Sequence, residues 1–241
     1  MPSAPEKPPE RLIVALDVET LAAAEALVDR LDGLVRHFKI GSQLFTACGP
    51  AAVEAVRRRG AEVFLDLKFH DIPNTVAGAA REATRMGVFM FNVHACGGQA
   101  MMRAAAEATG GGGAGARRPL VIAVTVLTSL DRAALQREVG VPSSVEGHVL
   151  HLCQLARAAG LDGCVASPHE AAAIRNNQGR QWVIVTPGVR PAGSEAGDQA
   201  RIATPAAAVR AGAHYLVVGR PITAAADPAG AARAILEEIA S

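Results

Sequence analysis

The chain has 241 residues, half of them apolar and 20% charged, and its 24 basic and 23 acidic side chains leave a formal net charge of +1. That composition supports a sizeable core. The even mixing of charge, with no basic block or aromatic-interleaved patch, argues against a nucleic-acid partner. No apolar run is long enough to span a bilayer, and the cysteines Cys48, Cys96, Cys153 and Cys164 include no Cys-x-x-Cys, so small buried cysteines of a reducing, cytoplasmic protein are expected rather than a disulfide or zinc framework.

Residues 1–10 carry four prolines and no apolar stretch. They read as a disordered tail rather than a signal peptide. From residue 11 onward short runs of Val, Ile and Leu alternate with longer Ala-, Arg- and Glu-rich stretches at helical spacing. Strands are expected over 12–16, 35–40, 62–67, 88–93, 120–127, 163–165, 183–185 and 215–218. Helices are expected over 21–31, 43–59, 75–86, 99–108, 145–159, 168–176, 205–211 and 229–240. Near-continuous apolar strands separated by helical crossovers indicate a parallel sheet covered by helices. A doubly wound sheet and a closed barrel both satisfy that pattern, and eight units in this length favour a single-domain (β/α)8 TIM barrel over 11–241.

In a barrel the chemistry belongs on the loops that follow strands. The polar residues fall there: Asp17 after the first strand, Lys39 at the end of the second, Asp66, Lys68 and Asp71 at the end of the third. Thr128 and Ser129 follow the fifth, Arg190 the seventh, and Gly219-Arg220 the eighth. The glycine-rich run 110–115 has a helix before it and a strand after it. A phosphate cradle needs the reverse order, so this run reads as a flexible loop tip. The segment from Thr186-Pro-Gly188-Val-Arg190 to Thr204 is long and polar, as lids often are. Gly219 lets a backbone N–H approach an anion, and Arg220 offers a planar fork for phosphate oxygens.

The third strand carries the sharpest signal. In Phe64-Leu-Asp66-Leu-Lys68 the two-residue period puts Asp66 and Lys68 on one face, an unusual demand on an apolar strand unless the charges are paired or used. Lys39, Asp66, Lys68 and Asp71 are expected to surround one small space with alternating charge. A lysine flanked by carboxylates keeps its proton, because opposite charge favours the charged form. It then suits proton delivery rather than Schiff-base formation. The interleaved lysines compete with any Mg²⁺ for the acids, and no dinucleotide or P-loop pattern is present. A cofactor-free, metal-free proton-transfer enzyme acting on a phosphorylated substrate follows from the residues alone.

Asp66-Leu-Lys68-Phe-His-Asp71-Ile-Pro-Asn-Thr75, Thr125-Val-Leu-Thr128-Ser129 and Thr186-Pro-Gly188-Val-Arg190-Pro resemble the orotidine 5′-phosphate decarboxylase family in its common bacterial form. So do Ala15-Leu-Asp17, Phe38-Lys39-Ile-Gly, Gly197-Asp-Gln199 and Val218-Gly219-Arg220-Pro-Ile-Thr. The resemblance runs from about residue 11 to the C-terminus. It implies a homodimeric barrel that converts orotidine 5′-phosphate to UMP and CO2, the last step of de novo UMP synthesis. It makes Lys68 the proton donor to C6 and places Asp66 by the leaving carboxylate. Lys39 then holds Asp66 and a ribose hydroxyl, and Asp17 the ribose. Thr128 touches the pyrimidine, and Arg190, Gln199, Gly219 and Arg220 gather the phosphate. Asp71 joins Lys39, Asp66 and Lys68 in the catalytic set, Ile72 and Thr75 belong to the substrate-binding set, and Asp71 and Thr75 reach the partner's site. Cys96 stands where a serine is usual.

Two other readings are weighed. Sugar-phosphate decarboxylases and synthases of the same barrel group share Asp-x-Lys-x-x-Asp but use Mg²⁺; the continuation His70-Asp-Ile-Pro-Asn-Thr75 favours the nucleotide enzyme. A silent nucleotide-binding barrel has no need of the charged set. His70 is read as a packing or hydrogen-bonding residue, His94 and Cys96 as pocket floor or core, and Trp182 as a wall anchor.

Overall fold

The structure, a computed structural model, describes residues 7–110, 117–191 and 203–240. Eight parallel strands close into one barrel in chain order: β1 (Leu12–Ala15), β2 (His37–Gly41), β3 (Glu62–Phe69), β4 (Met90–His94), β5 (Leu120–Val124), β6 (Gly163–Val165), β7 (Val183–Thr186) and β8 (Tyr215–Val218). β1 pairs with β8 through Ile13↔Val217, which removes both sheet edges. This is the (β/α)8 architecture that the alternating pattern predicts.

Alternation along each strand divides the core in two. Leu12, Val14, Phe38, Ile40, Val63, Leu65 and Phe91 pack outward against the helices. Ile13, Ala15, Phe64, Met90, Ile122, Val185 and Val217 fill the barrel interior. Residues in step with the interior set, among them Lys39 and Asp66, therefore project inward at the carboxyl ends of their strands.

The helices are α1 (Pro8–Arg11), α2 (Leu21–Arg30), α3 (Ser42–Cys48), α4 (Pro50–Arg58), α5 (Pro73–Arg85), α6 (Gly98–Ala108), α7 (Arg132–Arg137), α8 (Val145–Ala158), α9 (Ala171–Gln178), α10 (Pro205–Arg210), α11 (Arg220–Thr223) and α12 (Pro228–Ala240). Their starts follow local chemistry. Thr20, Asp131, Ser144 and Thr204 accept the N–H of Ala23, Ala134, Gly147 and Ala207 respectively, capping α2, α7, α8 and α10. Pro50, Pro73 and Pro205 open α4, α5 and α10, where a missing N–H costs nothing.

Four expectations are corrected. The helix predicted over 43–59 is two helices, because Gly49 adopts φ +59° and Pro50 cannot continue α3. The strand predicted over 120–127 ends at Val124, which frees 126–129 to line the mouth. Pro8–Arg11 forms a helical turn within the expected tail, and residues 1–6 lie outside the described residues. Cys96 is exposed and Cys48 half-buried, whereas Cys153 and Cys164 are buried as expected. Of the glycine-rich run, 111–115 lie outside the described residues.

Two buried histidines predict an acid limit to stability. Inside the barrel the His37 ring is 4.7 Å from the Phe89 ring and 5.8 Å from that of Tyr215, and its Nδ1 has no hydrogen-bond partner. Burial first, then the charges of Arg36 and Arg117, pulls His37 down to about 4. His214 accepts the Ile184 N–H at 3.1 Å, and burial with the nearby Arg175 charge pulls it to about 4 as well. Both values lie below the ordinary 6.5, so between pH 6.5 and 4 the unfolded chain binds more protons than the folded one. The stabilisation is complete above pH 6.5 and is lost as pH falls towards 4, by about 2–3 kcal/mol per histidine. Thermal unfolding midpoints are expected to drop over this interval, and His37→Phe is expected to make the drop shallower.

Candidate active site

The carboxyl ends of the strands open into a cavity of about 640 Å³, within the range of small-molecule sites. Ala15, Phe64, Val124, Val165 and Val217 form its apolar floor, and Asp17, Lys39, Asp66, Lys68, Thr128, Arg190, Gly219 and Arg220 line it higher up. Eight of the sequence-predicted site residues thus converge on one space. Gln199 lies outside the described residues.

A continuous line of alternating charge crosses the cavity. Asp17 Oδ1 accepts from Lys39 Nζ at 3.0 Å; Lys39 Nζ is 3.4 Å from Asp66 Oδ2; Asp66 Oδ1 accepts from Lys68 Nζ at 2.8 Å. Lys39 and Asp66 are each only 9% exposed, and charges so deep are tolerated because each has an opposite partner. The carboxylates are occupied by ammonium groups, and no cluster of three or more His, Cys, Asp or Glu suited to a metal occurs among the described residues.

Asp71 departs from the expectation of a four-residue cluster. It is exposed, its Oδ1 accepts the Ile72 N–H at 2.6 Å, and it does not line the cavity. Asp17 takes the fourth place in the alternating line. Ile72, 67% exposed, and Thr75, also exposed, stand outside the cavity too. Directly after Asp71 the chain enters a helix: Ile72 is the N-cap of α5 and Pro73 its first residue.

The sequence reading missed three features. Asn92 on β4, 1% exposed, donates from Nδ2 to Asp66 Oδ1 at 2.7 Å and accepts the Lys68 N–H at 2.8 Å. An inward-facing amide in Phe91-Asn92-Val93-His94 was the available signal. Second, the turn Arg220–Thr223 follows β8 at once, with Gly219 at its N-cap. Third, Gly41 leaves room for the ion pair: a Cβ there would stand 2.9 Å from Lys39 Nζ and 3.3 Å from Asp17 Oδ1. Gly41→Ala is expected to displace the Lys39 ammonium and cut kcat/KM by about ten- to a hundredfold, with the melting temperature little changed; steady-state kinetics checks this.

Arg190 is 9% exposed, donates to the Val189 carbonyl at 3.1 Å, and is held at its main chain by Ala203, whose carbonyl accepts the Arg190 N–H at 3.0 Å. Both ends of the long β7–α10 connection are therefore tied at the cavity; 192–202 lie outside the described residues. The His70 and His94 rings lie 5.5 Å apart and neither lines the cavity. Burial, then His70 and Lys68, holds His94 below the usual histidine range. Trp182 donates to Cys164 Sγ at 3.3 Å in the outer core, the wall-anchor position expected.

Fold and site together define a (β/α)8-barrel enzyme with its working mouth at the carboxyl ends of the strands. Residues 10–235 match the family described as Orotidine 5′-phosphate decarboxylase / HUMPS, and the chain belongs to that family. It is 62% identical over 232 residues to orotidine 5′-phosphate decarboxylase of Moorella thermoacetica, covering 95% of this chain and 92% of that protein. The protein of the same name from Halorhodospira halophila is 58% identical over 233 residues, covering 97% of both. The crystal structure of orotidine 5′-phosphate decarboxylase from Lactobacillus acidophilus superposes with a TM-score of 0.86 at 35% identity, covering 96% of this chain and 100% of that one.

Proposed function

We propose that this protein decarboxylates orotidine 5′-phosphate to UMP and CO2, the last step of de novo UMP synthesis, without metal or cofactor. The observation that carries the reading is the Lys68 ammonium, 2.8 Å from the Asp66 carboxylate at the mouth of a barrel whose relatives bear that enzyme's name.

The roles follow from the chemistry of each group. The substrate's phosphate lies against Arg190, Gly219 and Arg220, at the loops after β7 and β8 and the start of α11, where barrel enzymes often hold phosphate; Gln199 joins this set. Asp17 and Lys39 hold the ribose, and Thr128 contacts the pyrimidine. The carboxyl group to be lost then stands beside Asp66, like charge against like. Breaking the C6–carboxylate bond releases CO2 and leaves an electron pair on C6. The Lys68 ammonium gives its proton to that carbon, so the product is UMP and the amine is reprotonated from solvent. Holding the phosphate remote from the reacting carbon supplies binding energy that is used at C6.

The exposed Asp71, Ile72 and Thr75 serve the cavity of a second copy of the chain, so that a homodimer carries two composite sites and the exposed Ile72 is covered. No helix among the described residues is long and apolar enough to cross a membrane; the proposed place of work is the cytoplasm.

Loss of orotidine 5′-phosphate absorbance, followed with and without a chelator, tests the reading. Turnover unaffected by chelator is expected. No loss of orotidine 5′-phosphate, with Mg²⁺-dependent turnover of a sugar phosphate instead, would favour the sugar-phosphate chemistry of the same barrel group.

A further inference from the structure

We propose that Asn92 is a positioning residue for the reaction: its buried side-chain amide sets both the main chain of Lys68 and the carboxylate of Asp66. The inference rests on the reading that these two residues carry the chemistry.

The end of β3 is irregular where the site lies. β3 and β4 pair through Leu65↔Phe91 and next through Phe69↔Val93, so residues 66–68 stand opposite the single Asn92. Within this bulge Lys68 has φ +53°, the one non-glycine residue with positive φ among those described. A side chain is disfavoured in that region, and such conformations persist only where surroundings enforce them. The Asn92 Oδ1 accepts the Lys68 N–H at 2.8 Å and so fixes the strained main chain from the neighbouring strand. Its Nδ2 donates at 2.7 Å to Asp66 Oδ1, the same oxygen that receives Lys68 Nζ at 2.8 Å.

One amide orientation serves both contacts. An N–H needs an oxygen, and a carboxylate needs a donor. Asn92 is 1% exposed, so water cannot easily replace either partner. It adds a donor beside Asp66 without adding charge, leaving the alternation of Asp17, Lys39, Asp66 and Lys68 intact. Asn92 itself does not line the cavity; it acts through the two residues that do.

Asn92→Asp separates this role from simple packing, because it is nearly isosteric. At high pH it retains the acceptor for the Lys68 N–H but sets a second carboxylate against Asp66. As pH falls the two carboxyls share a proton, and the new hydroxyl donates to Asp66 as the amide did. At pH 8 kcat is expected to fall by about a hundredfold, with KM and UMP affinity within about threefold of the parent. The deficit is expected to shrink at least about tenfold between pH 8 and pH 6. Asn92→Ala has no proton to share, and its deficit is expected to be independent of pH. Thermal unfolding and UMP binding are measured on both variants.

Parental kcat and pH profile in both would overturn the proposal. So would loss of the folded barrel in both, which would assign Asn92 to folding alone. Lys68→Ala is assayed alongside. Retained turnover in that chain would sink the reading of the site, whereas an inactive Lys68→Ala with unaltered Asn92 variants would sink only the inference about Asn92.

Discussion

Lys68→Ala is expected to bind UMP with near-parental affinity while losing decarboxylation by at least about a hundredfold, since a positioned proton donor contributes about 10²–10⁴-fold. The side chain is about a third exposed and makes its ion pair with Asp66 at 2.8 Å. The ribose and phosphate contacts proposed for Asp17, Lys39, Arg190 and Arg220 involve other side chains, so affinity for product is retained. After truncation Asp66 still has the Asn92 amide at 2.7 Å and Lys39 at 3.4 Å, which limits collapse of the site. Kinetics with calorimetric UMP titration reads the two effects separately; near-normal turnover would remove Lys68 from the mechanism. The variant also tests the composite site. Mixed with an inactive Asp71→Ala chain under subunit exchange, it is expected to regain about a quarter of parental activity, because random dimers rebuild one complete site in each heterodimer. No recovery would place Asp71 outside its partner's cavity.

Asp66→Asn is expected to lower kcat by about a thousandfold. Asp66 is the central anion of the line, sharing its two oxygens among Lys39, Lys68 and Asn92. Neutralising it leaves two ammonium groups facing each other across one amide, and Lys68 loses the partner that fixes its head. Binding separates two accounts of the residue. If Asp66 opposes the substrate's carboxylate before it leaves, affinity for a 6-carboxylated nucleotide rises relative to UMP in the variant, because the opposing charge is gone. If Asp66 acts by holding Lys68, the ratio of the two affinities stays at the parental value. Unchanged kcat would contradict both.

Much of this was legible in one dimension. A strand pattern is local: apolar runs of Val, Ile and Leu bury on both sides, and a polar residue at the end of such a run has only the mouth to occupy. That reasoning placed Asp17, Lys39, Asp66, Lys68, Thr128, Arg190, Gly219 and Arg220 at one end of a barrel, and the structure brings them to one cavity. The break of 43–59 was also written in Gly49-Pro50, a stop and a start that helical periodicity on either side concealed.

Other features depend on which strand lies beside which, and on where a chain turns. Asp71 follows Asp66 by five residues, yet it is exposed and accepts the Ile72 N–H outside the cavity, and Asp17, far away in sequence, completes the charged line through Lys39. The bulge of β3, the positive φ of Lys68 and the two-sided amide of Asn92 arise only when β3 is laid against β4. By itself the sequence determined the alternating strand–helix units, their catalytic end and the identities of the charged groups, because these follow from periodicity and from residue type; closure of the barrel was favoured by the number of units and is set by the pairing of β1 with β8. The tertiary structure decided the order in which those charges pair and what holds them in place, because Coulombic and hydrogen-bond contacts depend on distances between strands that no spacing along the chain encodes.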